Sequence, residues 1–587
     1  MYPIERFTIP EIVEKSCQRY SDRPALSMVG GKAVYFRDLE PRTRRIAALL
    51  GLLGVKKGDR VALLSENRPE WGLAYFGVSR SGAIAVPIMV DFLPEQISAI
   101  LEHSESKVLI VSKRLAGKVA SEGERRILLS LEDFSVSGAP GGAARMTALV
   151  APDAVERAAD YFVSPELGAD ELASIIYTSG TMGKPKGVML THRNLVFDAV
   201  AARKFIVLRR TDRLLSILPL AHAYEFTIGF LIPMIQGSAV YYLDRPPSAT
   251  ALLPALAAVR PTIMLSVPLV IEKIYHSSIK PALEKIGLYK LPLFRLLLER
   301  IAGVKLNKTF GGKIRFFGIG GAPLSAEVGT FLHHARFLYS IGYGLTETAP
   351  LLTGNRPGKV KPRTTGWAST GVELRIGDPR PDTGEGELQA RGPNVFPGYY
   401  KDPERTAEAF TPDGWFRTGD LAVMEASGRV TVRGRTKTMI LGASGENIYP
   451  EEIEAVLNAS PYVAESLVYG DERGLTALVH LKPEVLERFS ARIKDEIEEA
   501  EVAAANLKAA AQHAAHQAAH RAAEKTGVNL GSAERNLAQT LEMIKREANS
   551  RLAGFSRLAK VEHQAEPFEK TPKQSIKRFL YPRGKKD

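Results

Sequence analysis

The sequence predicts an α/β fold: a large N-terminal domain of several subdomains followed by a smaller C-terminal one. Three observations carry this expectation. Helix-then-strand units repeat from the N-terminus to about residue 345, which is the pattern of a parallel sheet covered by helices. A run rich in glycine, proline and short β segments follows at about 366–434, as in Gly371-Val-Glu-Leu-Arg-Ile376 and Gly386-Glu-Leu-Gln-Ala390. That pattern breaks at Gly434-Arg-Thr-Lys437, where a separate module begins. The expected division is 1–434 and 435–587, with the β-rich subdomain at about 366–434.

The first unit has Asp38 as N-cap of a helix from Leu39 to about Leu53, with Pro41 tolerated in its first turn and Gly54 closing it. The strand Asp59–Leu64 follows. Trp71–Gly82 and Ala83–Ile88 form a second helix and strand, and a third unit ends on Lys107–Ser112. After about residue 190 the strands are expected at Asp212–Leu218, Ser238–Leu243, Thr262–Ser266 and Ile314–Gly318. Between about 484 and 548 the chain is rich in Ala, Glu, Lys and Gln and reads as two helices joined near Gly527–Gly531. On it, His516 and His520 have the i,i+4 spacing of metal ligands, with His513 on the same face. They have no carboxylate or cysteine beside them, so an exposed alanine-rich helix used for docking or self-association is the plainer account.

At 587 residues the chain is too long for one core, and 45% hydrophobic with 24% charged residues is a globular composition. No apolar run reaches about 18 residues, and the N-terminus lacks the basic-then-apolar pattern of a secretory signal. Cys17 is the single cysteine, which excludes an internal disulfide and fits a reducing cytoplasm. The net charge of +13 is spread along the chain and does not cluster with aromatics, so nucleic acid is not the expected partner. Attraction to small anionic substrates accounts for it. Peripheral contact with an acidic membrane, at the inner-membrane surface, is favoured if the substrate is a lipid. A homodimer is left open.

The most informative segment is Tyr177-Thr-Ser-Gly-Thr-Met-Gly-Lys-Pro-Lys-Gly187. It lies between a buried strand, Leu172–Tyr177, and β-like Gly187–Leu190, before Thr191 or His192 opens a helix. Gly180 and Gly183 let backbone N–H groups approach an anion; Thr178, Ser179 and Thr181 add hydroxyls, and Lys184 and Lys186 add charge. Pro185 after Gly183-Lys184 separates it from the P-loop pattern. The segment resembles the signature loop of the adenylate-forming superfamily of acyl-CoA synthetases, luciferases and nonribosomal-peptide adenylation domains. Further similar segments follow in the same order, covering nearly the whole chain outside about 484–548.

The resemblance implies a large α/β adenylation domain, a small mobile α+β C-terminal domain, and ATP, Mg²⁺ and CoA as cofactor and co-substrates. In Ile341-Gly-Tyr-Gly-Leu-Thr-Glu-Thr348 it implies that Tyr343 stacks on adenine beside Gly344, that Thr346 bonds the α-phosphate, and that Glu347 ligates Mg²⁺. Gly320, Gly321 and Ala322 would lie against adenine, Asp420 of Thr418-Gly-Asp420 would hold the ribose, and Arg435 would add a ribose or phosphate contact beside a hinge at Lys437. Alone, Thr-Gly-Asp is a common turn, and its weight comes from its position. Gly442 and Gly445 would approach the CoA pantetheine after the small domain rotates. Leu218–Glu225 resembles the carboxylate end of the acyl site, with His222 at its entrance. Phe226–Gln236 then reads as an apolar helix kinked at Pro233, with Phe226 against the acyl chain and Gly229 making room for it. The overall pattern is most similar to medium- to long-chain fatty acyl-CoA synthetases.

One position departs from that family. Where its members carry a lysine that joins the acyl carboxylate to the α-phosphate, Thr571-Pro-Lys-Gln-Ser-Ile-Lys-Arg578 has Ser575. Serine cannot neutralise two converging anions, so adenylation is expected to be slowed. Lys573 shares a face with position 575 in an extended segment and is the candidate replacement, displaced by roughly 6–7 Å. The expectation is a cytoplasmic AMP-forming acyl-CoA synthetase acting on a fatty or similarly apolar acid. Two alternatives stand beside it: a ligase loading a carrier protein, and a non-catalytic adenylate-binding protein.

Overall fold

The computed structural model describes residues 2–179, 185–436, 438–441, 447–471, 474–485, 530–552, 554–570 and 576–581. It separates into two compact units, residues 1–432 and 433–587.

The first unit contains two large sheets. In the first, strands Pro24–Met28, Ala239–Tyr242, Arg213–Ser216, Ile263–Ser266, Phe316–Ile319 and Tyr339–Gly344 run parallel in that spatial order. Antiparallel strands then extend the same sheet from Leu351–Gly354 through Gly366–Ala368, Arg429–Arg435, Phe416–Met424 and Gly386–Arg391 to Glu373–Gly377. The second sheet has a parallel centre of Ile127–Ser130, Val108–Val111, Arg60–Leu64, Ile84–Ile88 and Leu172–Ser179, with Pro185–Thr191 antiparallel at one edge and Val136–Gly138 at the other. Both sheets are therefore helix-covered where the sequence alternates and open to hairpins where glycine and proline accumulate.

Fully buried aromatics fill the spaces between layers. Trp71, Tyr75 and Phe76 on helix Pro69–Arg80 meet Phe226 and Phe230, with Tyr75 and Phe226 ring centroids 4.3 Å apart. Phe310, Phe317 and Phe337 form a second such group. Each ring contributes about 2–3 kcal/mol by burial, so these clusters fix the helices against the sheet.

Local boundaries differ from expectation in instructive ways. The first long helix runs Phe36–Leu52, so Asp38 lies inside its first turn, where its carboxylate accepts the Tyr35 N–H at 2.9 Å. Residues 225–236 form two pieces, a π-helical turn Glu225–Leu231 and an α-helix Ile232–Gln236, with Pro233 at the start of the second, where a missing N–H costs nothing.

The second unit is α+β. Strands Val463–Asp471 and Gly474–Leu481 pair antiparallel, Leu558–His563 joins them in parallel, and helices Pro450–Asn458 and Leu530–Arg551 supply Ile453, Leu457, Ile544 and Ala548 to one core. Phe568 is 3% exposed and packs edge-on against Tyr581. The downstream end of the helical stretch expected at 484–548 is thus core of this unit. His513, His516 and His520 lie outside the described residues.

Candidate active site

The strand pair around the glycine-rich segment runs further toward it than expected, with Thr178 opposite Lys186 and Ser179 opposite Pro185. Gly180, Thr181, Gly183 and Lys184 lie outside the described residues. Thr178 is 7% exposed, and its buried hydroxyl has no hydrogen-bond partner among the described residues. A buried unpaired hydroxyl is costly unless a ligand satisfies it, and a phosphate oxygen would do so.

Lys186 is held in a compact triangle. Its Nζ donates to Glu347 Oε1 at 2.7 Å and to the Tyr399 hydroxyl at 3.0 Å, while that hydroxyl donates to the same Oε1 at 2.9 Å. The ammonium also lies 4.5 Å from the Tyr399 ring centroid. Burial and then the Glu347 charge push the Tyr399 phenol above its ordinary pKa, so it remains a donor. The backbone explains the meeting: the Tyr400 N–H donates to the Gly187 carbonyl at 2.8 Å, and the Met189 N–H to the Gly398 carbonyl at 3.2 Å. Tyr399 was not anticipated from sequence; its signal is the aromatic pair that follows Pro397-Gly398.

Glu347 sits on the short 3-10 turn Thr346–Thr348 that ends strand Tyr339–Gly344. The Phe396 N–H donates to the Glu347 carbonyl at 2.9 Å, and Asn394 Nδ2 donates to the carbonyls of Thr348 and Leu351 at 3.0 and 3.1 Å. Thr346 is buried beside it. Glycine is required at 344, because a Cβ there would stand 1.7 Å from the Pro350 carbonyl oxygen.

Tyr343 turns toward the β-rich part of the same unit, where its hydroxyl donates to Asp420 Oδ2 at 2.6 Å. Asp420 is 5% exposed, and its own N–H donates to Thr418 Oγ1, which donates in turn to the Leu388 carbonyl. Gly320, Gly321 and Ala322 leave the carboxyl end of strand Phe316–Ile319, next to Gly342, with Gly321 at φ +85°. Gly320–Ala322 and Tyr343–Gly344 stand at the carboxyl ends of neighbouring parallel strands, the usual place for a ligand in such a sheet, and Asp420 reaches Tyr343 from the antiparallel strand Phe416–Met424.

On the acyl side, Gly229 and Phe226 lie among the protein's own side chains. The space beside Gly229 is occupied by the protein itself, since a Cβ there would lie 2.7 Å from Glu225 Cδ. Phe226 is 2% exposed and belongs to the aromatic core with Trp71, Tyr75 and Phe230. Both therefore contribute to packing in this structure. His222 is half-buried, and its Nδ1 accepts the Tyr224 N–H at 3.1 Å. Tyr224 and Ile228 line a small apolar cavity of about 20 Å³ with Gly318, Gly342 and Leu351. That is room for about one water.

Glu225 is itself an unexpected buried acid. Ser216 Oγ donates to its Oε1 at 2.5 Å, while Oε2 has no partner among the described residues. Burial raises its pKa from 4.5 to about 8, so it is neutral at pH 7. A carboxyl whose folded pKa is raised stabilises fully below the unfolded value, and that contribution is lost as pH rises through about 8. Glu225→Gln is therefore expected to flatten the fall in unfolding free energy between about pH 5 and 8, a difference of a few kcal/mol measurable by urea titration across that range.

Arg435 ends strand Arg429–Arg435 and belongs to the second unit. Lys437, Gly442, Gly445, Lys573 and Ser575 lie outside the described residues. No cluster of three or more His, Cys, Asp or Glu suited to a metal occurs among the described residues.

A parallel α/β core with backbone-rich loops, a lysine–carboxylate pair and a tyrosine–aspartate pair at the strand ends defines a nucleotide-handling enzyme. Residues 13–400 match the AMP-binding enzyme family, and the chain belongs to it. Among curated proteins it is 34% identical over 476 residues to the long-chain-fatty-acid–CoA ligase FadD15 of Mycobacterium tuberculosis, covering 76% of this chain and 77% of that one. It is 30% identical to the long-chain-fatty-acid–CoA ligase heimdall of Drosophila melanogaster, covering 81% and 76%. Its fold is similar to that of the anthranilate CoA ligase AuaEII in complex with anthranoyl-AMP, with a TM-score of 0.72 at 20% identity over 99% of this chain and 97% of that one. ATP-bound MatB from Rhodopseudomonas palustris gives a TM-score of 0.70 at 24% identity, over 97% and 98%.

Proposed function

We propose that the protein joins a fatty acid to CoA in two steps, with ATP as the energy source. In the first, a carboxylate oxygen of the acid attacks the α-phosphorus of ATP; the new O–P bond gives acyl-AMP, and pyrophosphate leaves. In the second, the CoA thiol loses its proton and attacks the acyl carbonyl, forming the thioester and releasing AMP. The observation that carries the first step is the Lys186–Glu347–Tyr399 triangle, which puts a cation, a carboxylate and a donor at the base of an anion-binding loop. The names of the relatives carry the choice of acid and thiol.

Lys186 and the loop that contains Gly180, Thr181, Gly183 and Lys184 bind the β- and γ-phosphates, with Ser179 and the Thr178 hydroxyl completing the cradle. Thr346 donates to the α-phosphate. Tyr343 stacks on adenine with Gly320, Gly321, Ala322 and Gly344 close by, while Asp420 accepts from the ribose hydroxyls. Arg435 adds a ribose or phosphate contact. Mg²⁺ fits this donor set, because a hard cation takes most of its oxygens from phosphate and water and needs one protein carboxylate, Glu347. When bound it offsets the phosphate charge that repels the incoming carboxylate. His222 stands at the carboxylate end of the acyl site, and the small cavity beside Tyr224 must widen by side-chain movement to admit a chain.

Residues 1–434 form the adenylation domain in this reading, and 435–587 a mobile domain that turns about Lys437. Its Gly442 and Gly445 then approach pantetheine. The reaction is placed in the cytoplasm.

Asp420→Ala is expected to weaken ATP binding by about tenfold, through the lost ribose bonds and the loss of the partner that orients Tyr343. Calorimetric titration with a non-hydrolysable ATP analogue checks this, and unchanged affinity would remove Asp420 from the ribose. The acceptor is tested by mass spectrometry of products formed from ATP, Mg²⁺ and fatty acids with CoA or with a holo carrier protein. Acyl-CoA is the expected product. Acyl carrier protein alone would assign the chain to the activity in the name of a 28% identical Arabidopsis thaliana relative, a long-chain-fatty-acid–[acyl-carrier-protein] ligase.

A further inference from the structure

The helix Pro292–Thr309 packs Leu298, Ala302 and Leu306 against the core yet carries apolar side chains on its outward face as well. Of its 18 residues only Glu299, Gly303 and Leu306 are buried, so the face turned to the protein carries its one acid. Glu299 is well satisfied there: the Tyr289 hydroxyl and Arg295 Nε donate to Oε1 at 2.9 and 3.0 Å, and His334 Nδ1 lies 2.7 Å from Oε2. Close packing at Gly303, where a Cβ would meet the Ala335 carbonyl oxygen at 2.2 Å, fixes which face points inward.

The outward face is apolar. Leu293 is 81% exposed, Val304 71%, Leu297 53%, Ile301 46% and Phe294 41%. At 3.6 residues per turn these five side chains form one stripe about three turns long. A contiguous stripe of this kind on a folded surface marks an interaction site. The exposed charges on the helix and just before it have one sign: Arg300, Lys305 and Lys308 on the helix and Lys290 ahead of it. An apolar stripe bordered by lysine and arginine is the pattern of a helix that lies in a membrane interface. No helix among the described residues is long and apolar enough to cross a membrane.

We propose that Pro292–Thr309 docks the protein on an anionic lipid surface, with Leu293, Leu297, Ile301 and Val304 entering the acyl boundary and Arg300 and Lys305 meeting the headgroups. The charge favours lipid over the simplest rival, a second copy of this chain. Anionic headgroups complement Arg300 and Lys305, whereas a second copy seated on the same stripe brings them no opposite charge from this helix, whose one acid, Glu299, is turned inward. The inference rests on the proposed function for its purpose, since a long-chain acid resides in a lipid phase and this helix would bring the enzyme to it.

The test is co-sedimentation of the full chain with phosphatidylcholine vesicles, with and without phosphatidylglycerol, in the absence of ATP. Wild-type protein should pellet with the anionic vesicles and be released by salt. Leu297→Asp/Ile301→Asp should lower the partition coefficient by about tenfold or more, and Arg300→Glu/Lys305→Glu should remove the preference for phosphatidylglycerol. Acyl-CoA formation from a short-chain, water-soluble acid without vesicles should be the same in both variants and wild type, which separates docking from chemistry and shows that both fold. Wild-type protein remaining in the supernatant, or equal pelleting of wild type and the apolar variant, would overturn the proposal. So would a concentration-dependent dimer abolished by Leu297→Asp/Ile301→Asp, because it would assign the stripe to a second copy.

Discussion

Glu347→Gln is expected to lower acid-dependent pyrophosphate release by about 10²–10³-fold, with the loss in turnover exceeding any loss in ATP affinity measured without metal. An amide keeps the shape of the side chain and removes the only negative charge in the triangle. A hard divalent cation then lacks its protein ligand, and the repulsion between incoming carboxylate and triphosphate is no longer offset. The substitution also leaves Lys186 without its ion-pair partner. Because Glu347 is 6% exposed and the Lys186 side chain 24%, some desolvation has already occurred, and a stability loss of about 1–3 kcal/mol is expected on urea unfolding. Turnover at the wild-type rate with unchanged Mg²⁺ dependence would take Glu347 out of the metal role. Tyr399 enters here as a positioning residue, since its hydroxyl is donated to the same carboxylate oxygen that Lys186 binds.

Ser575→Lys is the second large effect. It is expected to raise the rate of adenylation by about a hundredfold while leaving thioester formation from preformed acyl-AMP and CoA unchanged. The first half-reaction brings two anions together and gains from a cation between them; the second has no such convergence. In an extended segment Lys573 would be displaced along the chain by roughly 6–7 Å, so it would have to reach that point by a different path. If Ser575→Lys changes nothing and Lys573→Ala abolishes adenylation, Lys573 already supplies the charge.

Much of the fold was legible because the helix–strand alternation is strict. Strands observed at Ile263–Ser266 and Phe316–Ile319 fall within two residues of the apolar runs that announce them. Boundaries slipped where local chemistry has two solutions. Asp38 can cap a helix as its first residue or from inside the first turn, and here it does the latter. At the site, the glycine-rich loop and the Tyr343–Glu347 segment were visible because backbone approach and charge demand particular residue types. What joins them was not visible: Tyr399 meets Glu347 across 52 residues, and Tyr343 meets Asp420 across 77, distances over which one sequence carries no pairing information.

The neighbours of Gly229 and Phe226 were not legible for a physical reason. A glycine in an apolar helix signals a close approach without saying what approaches, and at Gly229 it is the carboxyl of Glu225 one turn earlier. Phe226 likewise reads as one apolar residue among many, and only the neighbouring aromatic rings assign it to the core.

The measurement that tests the central claim most directly is pyrophosphate release by the unmodified chain with ATP, Mg²⁺ and a panel of fatty acids, run in parallel with Ser575→Lys. Release that requires the acid, is slow in the unmodified chain and rises with Ser575→Lys is the predicted result. Tight ATP binding with no acid-dependent release from either protein would contradict it and leave a non-catalytic adenylate-binding protein.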